Sequence, residues 1–268
     1  MKIAKTIGPF FFLLLSVLPL VIYAQPMPEI YLTGVDLASQ GKFSEAKKIF
    51  QEILAADPSN ERADGSLKII ADLERQRINN QTASHLFKGL SYFYKNNFQE
   101  ALAQANLALK INPEYERAYN VRGSSYFALA KDDQALADFN RALEIEPKYE
   151  GAYYNRGCVY LRRKQYEGAI SDLDRALKIK PNFASAFHNR GMAHMSQGEY
   201  LWALADFNRA LEINPRLAQS YLNQGVVLEE LDREKEAVEA YKKFLQYASP
   251  ELSGEINYAR NRLKILEK

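Results

Sequence analysis

The segment ALADFNRALEI occurs twice in this chain, at residues 135–145 and at residues 203–213, which is a separation of two 34-residue periods. Small residues and prolines recur with the same 34-residue period through most of the sequence. The columns are Pro113, Pro147, Pro181 and Pro215; Gly89, Gly123, Gly157, Gly191 and Gly225; and Ala101, Ala135, Ala169, Ala203 and Ala237. A fixed period of this length indicates a protein built from stacked structural repeats.

The residue types in these columns indicate that each repeat is a pair of helices. Glycine and alanine lack bulk, so two antiparallel helices can approach closely, and aromatic residues fill the remaining gaps. Proline ends the second helix, because it has no amide hydrogen and disfavours helical geometry in the residue before it. Gly41 and Gly198 fall at the turn between the helices, where a permissive backbone is needed. Each pair must stack on its neighbours to bury its apolar face.

This pattern resembles the tetratricopeptide repeat (TPR), a 34-residue unit with an aromatic residue, a glycine, a second aromatic residue, an Ala-x₃-Phe motif and a closing proline. Five contiguous copies cover 82–251, as 82–115, 116–149, 150–183, 184–217 and 218–251. A diverged copy covers 27–60, through Gly34, Ala46, Phe50 and Pro58. The resemblance implies an all-α, right-handed superhelical solenoid of antiparallel helix pairs, with about six repeats.

Two segments fall outside the period. Residues 61–81 are too short for a repeat but carry Leu67, Ile70 and Leu73 at helical spacing, which predicts a connecting helix and an irregular join after the first copy. Residues 252–268 carry one apolar stripe on a charged helix, formed by Leu252, Ile256, Ala259, Leu263 and Leu266. One apolar and one polar face predict a C-terminal capping helix.

Residues 1–24 have the features of a secretory signal peptide. Lys2 and Lys5 give a positive start, an apolar run extends from Phe10 to Ile22, and Ala24 supplies a small residue for cleavage before Gln25. The alternative is an uncleaved membrane anchor, although Gly8, Pro9 and Pro19 interrupt a run that is short for a spanning helix. We therefore expect a periplasmic or secreted protein, with no stable membrane span once the signal is cleaved.

The charge balance argues against nucleic-acid binding. The chain has 35 basic and 33 acidic side chains, and cleavage after Ala24 removes two lysines, so that the two numbers become equal. A nucleic-acid binder needs a basic stripe to neutralise phosphates. The single cysteine, Cys158, has no partner for an intramolecular disulfide and is expected to be a small buried hydrophobe.

No catalytic motif is found in the sequence. It lacks a glycine-rich phosphate loop, a Gly-x-Ser-x-Gly motif and a Cys/His pair with zinc spacing, and no cofactor is implied. A column of arginines, Arg122, Arg156 and Arg190, either binds an anionic ligand or pairs within each repeat. Asp138, Asp172 and Asp206 occur at the level of these arginines in the same three repeats only, which favours pairing.

The TPR resemblance implies that the first helices of the repeats line a concave groove. An apolar, aromatic and methionine-bearing exposed groove is expected, which is typical of a binding surface. A column of asparagines, Asn155, Asn189 and Asn223, is expected to bond an extended peptide backbone. The predicted partner-binding residues are Asn120, Phe127, Tyr154, Asn155, Leu161, His188, Asn189, Met192, Met195, Leu222 and Asn223.

The sequence therefore favours a non-catalytic scaffold or adaptor that binds a protein or peptide in the cell envelope. An alternative is a self-associating structural solenoid, a homo-oligomer whose groove is filled by another copy. An enzyme is disfavoured because residues 252–268 leave no room for a catalytic domain.

Overall fold

The computed structural model describes residues 28–267, so the predicted signal segment at 1–24 and its cleavage site lie outside the described residues. Residues 28–267 form fourteen α-helices and one short 3-10 helix, and no strand occurs among them. Consecutive helices form antiparallel pairs, and the pairs stack one after another into a solenoid. The expected all-α solenoid fold is confirmed.

The helices comprise one leading pair, one unpaired helix, five regular pairs and a terminal helix. The leading part is α1 (Glu29–Ser39), α2 (Phe43–Ala56) and the unpaired α3 (Glu61–Glu74). The regular pairs are α4 (Asn80–Tyr94) with α5 (Phe98–Ile111), α6 (Glu116–Ala128) with α7 (Asp132–Ile145), α8 (Glu150–Arg162) with α9 (Tyr166–Ile179), α10 (Ala184–Ser196) with α11 (Tyr200–Ile213), and α12 (Ala218–Glu230) with α13 (Glu234–Tyr247). The 3-10 helix Pro250–Leu252 and α14 (Ser253–Leu266) follow.

Proline ends the second helix in four of the regular pairs. The residue before each proline has left the helical region, with ψ of 90° or 91° at Asn112, Glu146, Lys180 and Asn214. The proline ring clashes with a helical residue before it, so the chain extends there and turns into the next repeat.

The turn inside each regular pair depends on one residue with positive φ. Glycine occupies this place only at Gly198 among the five regular pairs, with φ of 76°. The other four turns use Asn96, Ala130, Lys164 and Asp232, with φ between 57° and 59°. The backbone of these turns is therefore the same whether or not glycine is present.

The join between the leading pair and the first regular pair differs from the other joins. Between regular pairs, the second helix packs against the next first helix, as α5 does on α6. At the leading join α1 packs against α4, and the ring of Tyr31 lies 5.5 Å from the ring of Tyr94. Because α3 is one extra helix between the pairs, the alternation of first and second helices shifts by one at this join. Helix α3 therefore does not take the place of a first or second helix in the regular stack.

The C-terminal helix α14 packs against α13. Ala259 is fully buried, Tyr258 meets Tyr241 edge to face, and Arg262 forms an ion pair with Glu229. Within residues 28–267, no helix has the length and apolarity that crossing a membrane requires.

Candidate functional site on the concave face

The predicted arginine–aspartate pairs are confirmed. Arg156 donates from Nε and Nη2 to the two carboxylate oxygens of Asp172, at 2.6 and 2.7 Å. Arg122 with Asp138 and Arg190 with Asp206 form the same two-bond geometry. Each pair joins the two helices of one repeat.

The same arginines also tie each repeat to the one before it. Nη1 of Arg122, Arg156 and Arg190 donates to Asn106, Asn140 and Asp174 on the preceding second helix, at 2.5–2.8 Å. Each guanidinium also lies over an aromatic ring of its own helix, at 5.2–5.6 Å from the centroid. Because these groups are used inside the stack, the arginine column is structural and does not form a ligand site.

Most of the predicted groove residues are buried, and the expectation of an open groove is wrong for them. Asn120 and Leu161 are partly exposed. The other nine are buried: Phe127, Tyr154, Asn155, His188, Asn189, Met192, Met195, Leu222 and Asn223. The physical reason is that neighbouring first helices pack side by side through these side chains.

The asparagine column connects neighbouring first helices. Asn155 Nδ2 donates to Asn120 Oδ1 at 2.8 Å, and Asn189 Nδ2 contacts Tyr154 Oη and Cys158 Sγ at 3.3 and 3.1 Å. Asn223 Nδ2 contacts Met192 Sδ at 2.8 Å. These amides are therefore bonded inside the stack in this structure and are not presented to a peptide backbone.

Burial keeps two ionisable side chains of the first helices neutral, His188 of α10 and Cys158 of α8. Desolvation lowers the pKa of His188 to about 4, and its Nδ1 lies 2.8 Å from Ser220 Oγ. Burial raises the pKa of the Cys158 thiol to about 12, as expected for a buried small side chain rather than a reactive thiol. Within residues 28–267 no group of three or more His, Cys, Asp or Glu side chains is arranged to hold a metal ion.

The unpaired helix α3 lies across the N-terminal ends of three first helices. At α6, Asp72 accepts hydrogen bonds from Tyr115 Oη at 2.9 Å and from Arg117 Nε at 3.0 Å. At α8, Lys68 Nζ lies 2.5 Å from Glu150 Oε1. The contacts continue at α10, so α3 spans the concave side of three successive repeats.

At α10, α3 supplies a helix cap from a distant part of the chain. Glu61 accepts hydrogen bonds from Ser185 N at 3.1 Å and Ser185 Oγ at 2.8 Å. The local N-cap residue, Phe183, has no side-chain oxygen to offer, and a carboxylate at a helix N-terminus is favourable. Lys180 Nζ, just before α10, lies 2.6 Å from Asp64 Oδ2.

Glu61 and Asp64 of α3 have pKa values that shift in opposite directions. Burial raises the pKa of Glu61, although the hydrogen bonds from Ser185 oppose this shift. Burial also acts on Asp64, but Lys180 and Lys68 outweigh it and lower the pKa of Asp64. Asp64 is therefore ionised at neutral pH and is held by cationic partners.

A cavity of about 190 Å³ remains between α3 and the concave face. Aromatic, amide, hydroxyl and charged side chains from α1, α3, α4, α6, α8 and their flanks line it. The lining includes Tyr31, Glu61, Arg62, Ile69, Leu90, Phe93, Tyr94, Arg117, Asn120, Ser124, Tyr149, Tyr154 and Asn155. Of the predicted groove residues, the cavity brings together Asn120, Tyr154 and Asn155.

Sequence reasoning missed the contribution of α3 to this site. It identified residues 61–81 as helical but gave them no place on the concave face. The available signal was the charge stripe Glu61, Asp64, Lys68 and Asp72, whose spacing of 3, 4 and 4 residues places all four on one helix face.

Comparisons with protein families agree with the repeat pattern. Family models described as tetratricopeptide repeat or TPR repeat match residues 82–115, 123–164, 151–183, 184–217 and 218–250, which together make up more than half of the chain. A comparison with curated proteins gave no match.

Several solved structures share this fold. PilF of Pseudomonas aeruginosa is 18% identical, with a TM-score of 0.61, and the match covers 69% of this chain and 88% of PilF. A TPR protein of Thermus thermophilus is 22% identical, with a TM-score of 0.59, and the match covers 68% of this chain and 98% of that protein. YrrB, described as a TPR protein with an unusual peptide-binding site, is 22% identical, with a TM-score of 0.52. The match covers 72% of this chain and 97% of YrrB.

Proposed function

Because the chain belongs to the tetratricopeptide-repeat family, we propose that it is a non-catalytic scaffold that binds a protein or peptide partner on its concave face. We place it in the periplasm or the secreted space, on the basis of the signal-like residues 1–24. In this location it serves as an adaptor in the cell envelope.

The cavity beside α3 is the observation that carries this proposal. It combines apolar rings, including Tyr94 and Tyr149, with amide and hydroxyl groups, including Asn120 and Ser124. Apolar walls with a few placed polar groups are typical of binding sites, because the walls supply burial and the polar groups fix orientation. The description of YrrB as having a peptide-binding site agrees with a peptide ligand on this fold.

Filling the cavity tests the proposal. Ser124 lines the cavity and is partly exposed, so Ser124→Trp places a ring in it. The control is Gln134→Trp, which adds the same ring at an exposed position of α7. Affinity capture from the native envelope, with the chain from Gln25 as bait, should recover one partner with the wild type and with Gln134→Trp. Recovery should fall at least tenfold with Ser124→Trp at an unchanged melting temperature. Equal recovery from all three baits would contradict the proposal.

Self-association is a second candidate, favoured by one exposed apolar pair. Leu201 and Trp202 of α11 are 70% and 68% exposed. The corresponding pairs in the other four regular repeats contain no large apolar side chain: Gln99 and Glu100, Asp133 and Gln134, Glu167 and Gly168, and Lys235 and Glu236. Sedimentation should then give a dimer for the wild type and a monomer for Leu201→Gln with Trp202→Gln. A monomeric wild type would exclude this second candidate.

A further inference from the structure

The side of α3 that faces the repeats carries alternating charges at helical spacing. Glu61, Asp64, Lys68 and Asp72 lie at intervals of 3, 4 and 4 residues, so they form one stripe along the helix. We call these four side chains the α3 stripe.

Each member of the α3 stripe meets a complementary group at a successive position along the solenoid. Asp72 meets Arg117 and Tyr115, Lys68 meets Glu150, Asp64 meets Lys180, and Glu61 meets Ser185. The order of charges on the helix thus matches the order of groups on the concave face. The structure therefore contains both a bound helix, α3, and the concave surface that binds it.

The apolar side of α3 has a different partner. Ala63, Ile69 and Ile70 are buried in a core cluster. This cluster contains Tyr31 of the leading pair and also Phe87 of α4. The contacts of α3 with the ends of α8 and α10 are polar, and they remain open to solvent in part. Lys68 is 35% exposed and Asp64 is 32% exposed.

From this complementarity we infer that α3 is the intramolecular occupant of a helix-binding groove. The partner binds as an amphipathic helix that carries the charges of the α3 stripe in the same order, and it replaces α3 at Arg117, Glu150, Lys180 and Ser185. This inference rests on the proposed function and names the class of partner and the element that regulates its access.

The way α3 is attached permits this replacement. The Lys68–Glu150 and Asp64–Lys180 ion pairs are partly exposed. Such pairs are individually weak and are screened by salt, so these two contacts can exchange for equivalent ones. The connection from α3 to α4 is residues 75–79, in which Gln76 has a φ of 59°. An amphipathic helix lying in a groove is a common mode of peptide recognition.

A peptide of residues 58–76, added in trans, tests the inference. In the variant Asp64→Lys with Lys68→Glu, like charges face Lys180 and Glu150, so the tethered α3 should leave the groove. We expect the fluorescent peptide to bind this variant at least tenfold more tightly than it binds the wild type, whose groove is filled. The groove residues themselves are unchanged in the variant.

Two controls isolate the charge order. Lys48→Glu with Glu52→Lys exchanges an exposed pair on α2 at the same net charge, and it should leave peptide binding as weak as in the wild type. A second peptide with the substitutions Asp64→Lys and Lys68→Glu should not bind the variant with the same substitutions. Equal binding of both peptides, or no binding to the variant, would overturn the inference.

Hydrogen exchange of the unmodified protein tests the inference even if the variant fails to fold. Raising the salt concentration from 0.05 to 1 M should speed exchange of the α3 amides at least tenfold and leave the α8 amides unchanged. Salt-independent exchange of α3 would overturn the inference. If Ser124→Trp still abolishes partner capture after such a result, only the helical partner is wrong and the scaffold function stands.

Discussion

Glycine at the eighth position of a repeat sets how closely the two helices of a pair approach. A Cβ atom on Gly123 would lie 2.7 Å from Cε1 of the fully buried Phe139. In the repeat 82–115, Ala105 stands at the place of this ring, and a Cβ atom on Gly89 would meet no heavy atom closer than 3.5 Å. The need for glycine therefore depends on the aromatic residue opposite it.

These two glycines provide a matched pair of variants. Gly123→Ala should destabilise the protein by about 1–3 kcal/mol, because the buried ring has to move. Gly89→Ala should be neutral or stabilise by up to about 1 kcal/mol, since alanine is the better helix former. Urea unfolding measures both. Equal losses would show that the ring contact is not the cause.

The Arg156–Asp172 pair should show strong coupling. Asp172→Ala alone leaves a largely desolvated guanidinium without its carboxylate, and we expect a loss on the order of 3 kcal/mol. Arg156→Leu with Asp172→Ala should cost less than the sum of the two single substitutions, by at least about 1 kcal/mol. Thermal melts of the two single variants and the double variant measure these losses. If the losses of the single variants add up to that of the double variant, the two side chains are not coupled.

His188 should make stability fall in acid. Its folded pKa of about 4 lies below the ordinary value of about 6.5, so the unfolded chain binds the proton more tightly. The free energy of unfolding should therefore drop by about 3 kcal/mol as the pH falls from 7 to 4. His188→Gln keeps a partner for Ser220 and removes this contribution. Parallel pH profiles of the wild type and the variant would contradict the assignment.

At the scale of the element, the turns within the pairs are dictated by helix geometry more than by residue type. In the turn after α6, Lys131 N donates to Tyr126 O at 2.9 Å and Ala130 N donates to Phe127 O at 2.9 Å. These bonds satisfy the last carbonyls of the helix and require the left-handed conformation at Ala130. Ala130 adopts the left-handed conformation at a cost in free energy, and the packing of the two flanking helices offsets this cost.

Glycine at this turn should relieve that cost. We expect Ala130→Gly to raise the free energy of unfolding by about 1 kcal/mol, because glycine has no Cβ atom to clash at positive φ. The control is Ala205→Gly at an exposed, helical position of α11, which should lower it by about 1 kcal/mol. Chemical denaturation of both variants would show the opposite signs, and two losses would refute the explanation.

At the scale of the whole molecule, the leading pair and α3 make a stack of similar repeats asymmetric. Regular pairs contact their neighbours only, so their stability is close to a sum over adjacent interfaces. The α3 stripe adds contacts between residues as distant in sequence as Glu61 and Ser185. The α3 stripe therefore links repeats that are not neighbours in the stack.

The export expectation also concerns the whole molecule. If residues 1–24 act as a cleaved signal, the protein recovered from the periplasm of a bacterial host should begin at Gln25. Intact-mass measurement gives this result directly. A chain that retains Met1 in the membrane fraction would support the anchored alternative.

The periodic sequence by itself determined the helix pairs, their order and the arginine–aspartate pairing. These features depend on residues within one repeat, such as Arg156 and Asp172, which lie 16 positions apart in one hairpin. At so short a separation, helix geometry and the turn place the two side chains side by side without reference to the rest of the molecule. The repeated pattern was therefore enough to predict the helix pairs and the arginine–aspartate pairing.

Only the tertiary structure decided which groove residues are buried and where α3 lies. Burial of Asn189 and Met192 depends on the distance between neighbouring first helices, which no single repeat specifies. The path of α3 depends on contacts such as Glu61 with Ser185, which are 124 residues apart, and a segment outside the period has no neighbouring copy to define its position. The site formed by α3 and the concave face could therefore be found only once the whole stack was assembled.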